Sequence, residues 1–354
     1  MGLIQQLYPG PERARAFGLY GAVMSVGAAI GPVIGGALLS GLPPQVSWRA
    51  TFALNVPFGL AALLLALLWL PRERPDAGQA GVGRPSRGRA DLDPVAMVLL
   101  AAATICLMLP FIRHTWWLLA PAVLLAWAFV AWDRRHAAAG GEPMVDLALF
   151  RLPSFSLGTA VLTLFYTGTI NVYVVQTMFI RQGLGGSALL AGLVSLPRAL
   201  ATGAGSALAA RWLGRHRGRV VSGGLLLLLL GLAATVAVMF PIARGASVWW
   251  NALTMSLLGL GRGMVTSALQ TLSLEDVPAA HGCTAGGILQ TGQRVGSAIG
   301  MAVVPVVWFA SLPGSGPAAA HGQAYAVIAD FTVAALLLVV FDGRSWARCA
   351  GGAR

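Results

Sequence analysis

Three arginines, Arg198, Arg262 and Arg294, sit inside long apolar runs, and Asp330 is the one acid placed well within such a run. An arginine at the centre of a membrane helix costs roughly 2.5 to 3.5 kcal/mol on insertion scales, so each must face protein or a watery cavity. There it can hold an anion, or it can donate to carbonyls of a neighbouring helix. Asp330 is the candidate proton carrier, with an interfacial position as the plain alternative. Asn171, Tyr173, Gln176, Gln270 and Gln290 also interrupt apolar runs. Polar residues in such places either line a cavity or join helices by hydrogen bonds.

Other chemistry finds little support. The five histidines (His114, His136, His216, His281, His321) form no HExxH, HxxH or HxxxD group, and the three cysteines have no metal spacing, so neither a metal centre nor a membrane enzyme is indicated. Residues 259–263 read GLGRG inside an apolar run without the GxGxxG order, so a nucleotide site is not expected. No cofactor is implied.

These residues need helices to position them. The chain has 354 residues, 57% apolar and 10% charged, against about 25% charged in soluble domains. Ten apolar runs fall at roughly 17–40, 50–70, 94–112, 115–133, 154–180, 187–210, 219–241, 247–273, 283–310 and 324–342. In lipid the backbone must satisfy itself, and runs this long and uniform predict helices rather than barrel strands. The fold class is therefore an all-α polytopic membrane protein with about ten transmembrane helices. Every basic residue is arginine; with both termini inside, seventeen lie in cytoplasmic segments, four in outer ones and three within spans. That bias predicts cytoplasmic termini and argues against a basic nucleic-acid face.

The first run carries Gly18-x8-Gly27-x3-Gly31-Pro32-x2-Gly35-Gly36. Gly27, Gly31 and Gly35 make a stripe that predicts close approach by another helix, and Pro32 predicts a bend. This stretch resembles the antiporter motif on the fifth span of drug exporters in the major facilitator superfamily (MFS). Residues 48–59 (WRATFALNVPFG) are similar to the sixth-span signature of the fourteen-span drug:proton antiporter branch, WRWIFLINVPIG. Residues 146–155 (DLALFRLPSF) and 192–198 (GLVSLPR) resemble the beginning of the ninth span and part of the tenth. Gly292, Gly296 and Gly300 echo the four-residue spacing of the first span. Gly214 and Arg215 fit the GR pair of the superfamily loop motif, but Arg211 and Trp212 stand where that motif has Asp and Arg.

The resemblance covers essentially the whole chain and implies an MFS-type bundle lacking the family's first four spans. It implies two N-bundle helices (1–70), a cytoplasmic linker (71–93), a linker hairpin (94–133), a cytoplasmic loop (134–153), a complete six-helix C-bundle (154–343) and a tail (344–354). The function it implies is proton-coupled efflux of drug-like or amphipathic molecules by alternating access, in the cytoplasmic membrane of a bacterium. The partners would be the lipid bilayer, a small-molecule substrate and protons, with no nucleic acid. The alternatives are a truncated, non-transporting remnant of such an exporter and, third, a polytopic membrane enzyme.

Overall fold

A computed structural model describes residues 11–69, 93–113, 115–139, 147–213, 217–277 and 282–341. The linker up to residue 92, the tail, Gly214 and Arg215 lie outside the described residues. Helix α1 spans Pro11–Gly41, α2 Pro44–Ala53 and α3 Asn55–Trp69. Helices α4 (Pro94–Arg113) and α5 (Leu119–Ala138) form a hairpin. Helix α6 (Pro153–Thr169) continues through α7 (Asn171–Met178) into a π turn, Phe179–Gly183. Then come α8 (Ala188–Trp212), α9 (Arg217–Ala243), α10 (Trp250–Ser273) and α11 (Gly282–Phe341).

Helix α11 is two spans in one. Sixty residues of straight helix would run about 90 Å, but Gly316 has φ 76° and ψ 171° and breaks it. Trp308 and His321 lie in ring contact at 6.4 Å across that break, and Ser311 donates to Gln323. The second arm therefore folds back on the first. Leu-Pro-Gly-Ser-Gly-Pro at 312–317 reads as a loop in the sequence, yet helix persists up to Gly316 and resumes beyond it. The connection expected over 311–323 is thus nearly all helix, which brings His321 into the bundle. Among the described residues seven helices are long and apolar enough to cross a membrane, one of them this double span, with two shorter apolar helices beside them. The architecture agrees with a bundle of roughly ten spans.

Helix α6 is an axis of packing: both arms of α11 pack along it, α10 touches it, and α8 and α9 close round α10. Small residues make the crossings tight. Hypothetical Cβ atoms on Gly296 and Gly300 would collide with the backbone oxygens of Thr163 and Thr167, and one on Gly292 would lie 2.7 Å from the Thr163 hydroxyl. The second glycine stripe is therefore a backbone-to-backbone seam against α6.

The first stripe behaves differently. Cβ atoms on Gly27, Gly31 and Gly35 would meet nothing within 4 Å, whereas one on Gly36 would lie 2.6 Å from the Ala188 carbonyl oxygen. Gly192 returns the contact, 2.6 Å from the Pro32 carbonyl oxygen. Among the described residues the close approach expected at Gly31 belongs instead to Gly36, because α8 crosses α1 on that side. Gly36→Leu is accordingly expected to cost about 1–3 kcal/mol by overpacking, while Gly31→Leu leaves thermal stability in detergent unchanged. A lower Tm for Gly31→Leu than for Gly36→Leu would refute this assignment.

Asp93 starts the hairpin. Its Oδ1 accepts from the N–H groups of Val95 (3.1 Å) and Ala96 (3.0 Å), capping α4, and its Oδ2 accepts from the Trp132 indole at 2.8 Å, tying α4 to α5. Burial tends to raise its pKa, but the Ala96 N–H, the Trp132 indole, the His136 charge and the Val95 N–H together hold it below its ordinary value. A depressed carboxylate pKa stabilises the fold above its unfolded value of about 3.9 and loses that contribution as pH falls through the folded value. Asp93→Ala should lower the Tm by on the order of a few degrees at pH 7. The gap should close as the medium is acidified below about pH 4. A gap that widens in acid would contradict the capping role.

Candidate functional site

The threonines of α6 set the polar character of its inward face. Thr159, Thr163 and Thr167 each donate to the carbonyl four residues back, at 2.7, 2.8 and 2.8 Å, so their hydroxyls are already used and leave room for the glycine seam. Asn171, fully buried, continues this pattern by donating to the Thr167 carbonyl at 2.9 Å. Its Oδ1 has no partner among the described residues, and neither end of the fully buried Gln176 amide has one. An unpaired buried polar group costs about 1–3 kcal/mol, so the α6–α7 face holds unmet hydrogen-bonding capacity.

Two arginines reach the same region from other helices. Arg198, only 8% exposed, donates through Nη2 to the Thr169 carbonyl at 3.2 Å. Arg262 stands over the Tyr166 ring, 5.9 Å from its centroid. Both side chains therefore meet one turn of α6. The GLGRG segment positions the second of them. Cβ atoms on Gly259 and Gly263 would collide with the carbonyl oxygens of Arg198 and Thr202 on α8, and one on Gly261 would lie 2.7 Å from the Leu228 nitrogen on α9. Helix α10 is thus pressed between two neighbours, and Arg262 projects towards α6. Among the described residues, the ionisable groups acting on Arg198 are Arg262, Tyr325 and Tyr173, none of them a carboxylate.

The remaining sequence candidates are placed apart from this cluster or at its margin. Tyr173 and Gln270 are half-buried, whereas Gln290, Arg294 and Asp330 are exposed on the surface of the described bundle. Glycine seams, Asn171, Gln176, Arg198 and Arg262 come together at α6 and α7; Arg294 and Asp330 do not join them.

His321 is the residue that sequence reasoning missed. It is fully buried and neither ring nitrogen has a partner among the described residues. Its ring stacks on Tyr325 at 4.0 Å and meets Phe179 at 5.2 Å and Trp308 at 6.4 Å. The Trp308 indole nitrogen is buried and unpaired as well, while the Tyr325 hydroxyl donates to the Val172 carbonyl at 3.4 Å. Phe179 opens the π turn, and a Cβ on Gly183 at its end would lie 2.9 Å from Pro317, beside the Gly316 break. π turns often accompany functional sites. The signal in the sequence was a histidine four residues before a tyrosine, hidden because 312–317 looked like a loop.

A family model described as "Major Facilitator Superfamily" matches residues 1–301. Among curated proteins, the chain is 31% identical over 322 residues to the "Probable actinorhodin transporter" of Streptomyces coelicolor, covering 88% of this chain and 54% of that one. It is 29% identical over 316 residues to the "Tetracenomycin C resistance and export protein" of Streptomyces glaucescens, covering 87% and 55%. It is 27% identical over 312 residues to "Multidrug resistance protein Stp" of Mycobacterium tuberculosis, covering 86% and 54%. The chain spans about half the length of these curated relatives.

Proposed function

Because the chain belongs to the major facilitator superfamily, whose matched members here are transporters and exporters rather than enzymes, we propose that it carries amphipathic small molecules out of a bacterial cell by proton-coupled alternating access. The observation that carries this reading is the set of buried polar atoms without a partner among the described residues, between α6–α7 and α11: Asn171 Oδ1, both ends of Gln176, Trp308 Nε1 and both nitrogens of His321. In the packed arrangement these groups lose hydrogen bonds that water or a ligand would supply. A rearrangement that opens the interface regains them, so the closed and open states are brought nearer in energy, as alternating access requires.

Proton coupling needs a group that gains and loses a proton as the interface opens. His321 suits this role by position. Its neutral ring fits among aromatic rings, whereas an imidazolium would sit there without an acceptor and favour the open, hydrated arrangement. Asp330, on the exposed side of the same arm, is the second candidate. The arginine asymmetry supports an inner-membrane protein with both termini in the cytoplasm.

The test is accumulation of anionic, neutral and cationic fluorescent dyes in efflux-deficient cells expressing this chain. Reduced accumulation of at least one dye, reversed by a protonophore, is expected. No difference from cells with an empty vector would overturn the reading and favour a non-transporting protein.

A further inference from the structure

We infer that Arg198 and Arg262 form a recognition site for the anionic group of a planar aromatic compound. This names the substrate class for the exporter reading and rests on it. Arg198 is nine-tenths buried and, among the described residues, has one protein hydrogen bond, to the Thr169 carbonyl. A guanidinium carries five N–H donors. Arg262 meets α6 at Tyr166, one turn earlier, and acts on Arg198 as a like charge.

Two guanidinium groups that meet one turn of α6, with no carboxylate among the described groups acting on Arg198, repel each other. The helices cannot relieve the repulsion by drifting apart, since Gly259 and Gly263 bring α10 into backbone contact with α8 on either side of Arg262. An anion between them turns the repulsion into two charge-assisted, fork-shaped contacts, which suit a carboxylate, phenolate or sulfonate. The surroundings specify the rest of the ligand. Tyr166 lies under Arg262, and Tyr173 and Tyr325 are neighbours of Arg198. Aromatic side chains beside the two guanidinium groups favour a flat aromatic skeleton. The unpaired Asn171 and Gln176 amides add neutral hydrogen-bonding groups on the same helical face.

Fluorescein and rhodamine 123 share a xanthene skeleton and carry opposite charge, so they separate shape from charge. Their binding is read by fluorescence polarisation on the full chain in nanodiscs of zwitterionic lipid, which removes anionic headgroups as competitors. Fluorescein should bind at least about tenfold more tightly than rhodamine 123, and Arg198→Gln and Arg262→Gln should each weaken it about tenfold. Arg244→Gln, which removes the same charge from an exposed connection, should leave fluorescein affinity unchanged. If Arg198→Gln fails to give monodisperse protein, the half-buried Arg262 carries the test.

Equal binding of the two dyes overturns the proposal, as does fluorescein affinity that survives the site substitutions or falls equally in Arg244→Gln. Binding is read without transport. Fluorescein binding with no protonophore-sensitive efflux would leave the anion site and sink the exporter reading; efflux of dyes without fluorescein preference would do the reverse.

Discussion

Gly300→Val is expected to abolish recovery of monodisperse protein from membranes, while Gly287→Val on the same arm of α11 gives protein like the wild type. The two glycines differ only in what they face. A Cβ on Gly300 would collide with the Thr167 carbonyl and the Asn171 amide, whereas one on Gly287 meets nothing within 4 Å. Side chains can swing away from an intruding methyl group, but a helix backbone cannot without moving its whole span. Overpacking usually costs about 1–3 kcal/mol and more where backbone must shift. Here the shift would also pull Asn171 from its bond to the Thr167 carbonyl. Gly296, against Thr163, should behave in the same way. Size-exclusion profiles and thermal unfolding in detergent measure the difference. Equal recovery of the Gly300 and Gly287 variants would refute the seam.

His321→Gln should remove the pH dependence of transport while leaving substrate binding in place. Protonation of His321 favours the open, hydrated arrangement, so transport by the wild type should change with outside pH, and the variant should be flat. Among the described residues, the titratable and charged groups on the elements packed round it are Tyr325 and the exposed Asp330 on its own arm, the exposed Arg294 on the other arm of α11, Tyr166 on α6, Tyr173 on α7, Arg181 in the π turn, Arg198 and Arg211 on α8 and Arg219 at the far end of α9. Asp330, about two and a half turns along and exposed, is the one carboxylate among them. Asp330→Asn is therefore the necessary comparison: if it flattens the profile and His321→Gln does not, the proton group is Asp330. Glutamine keeps hydrogen-bonding capacity without titrating, so loss of pH dependence with dye binding retained separates a proton role from packing.

Much of the helical layout was legible because lipid leaves few options. Long apolar runs must be helices, and breaks between them show as Pro, Gly and Arg clusters; helices form over the runs among the described residues. What failed was orientation about each helix axis. The spacing of Gly27, Gly31 and Gly35 is as regular as that of Gly292, Gly296 and Gly300, yet only the second stripe meets a helix among the described residues. Periodicity gives a face and does not say what lies opposite. Arg198 was legible as buried charge and Arg262 is half-buried, but Arg294, read by the same cost, is exposed on the described bundle. The convergence of Arg198 and Arg262 on one turn of α6 was not legible, since it depends on how α8 and α10 cross. His321 was lost through a local signal, Pro and Gly at 312–317, which marks a sharp reversal of helix and not a loop.

The central claim is that this chain couples proton movement to movement of a small molecule. Reconstitution of the purified chain into liposomes with an acidic interior tests it most directly, with a fluorescent anionic aromatic dye added outside. Protons leaving the lumen should drive the dye inward against its gradient, and a protonophore should abolish that uptake. Uptake no greater than in protein-free liposomes, or uptake unaffected by collapsing the pH gradient, would contradict the account.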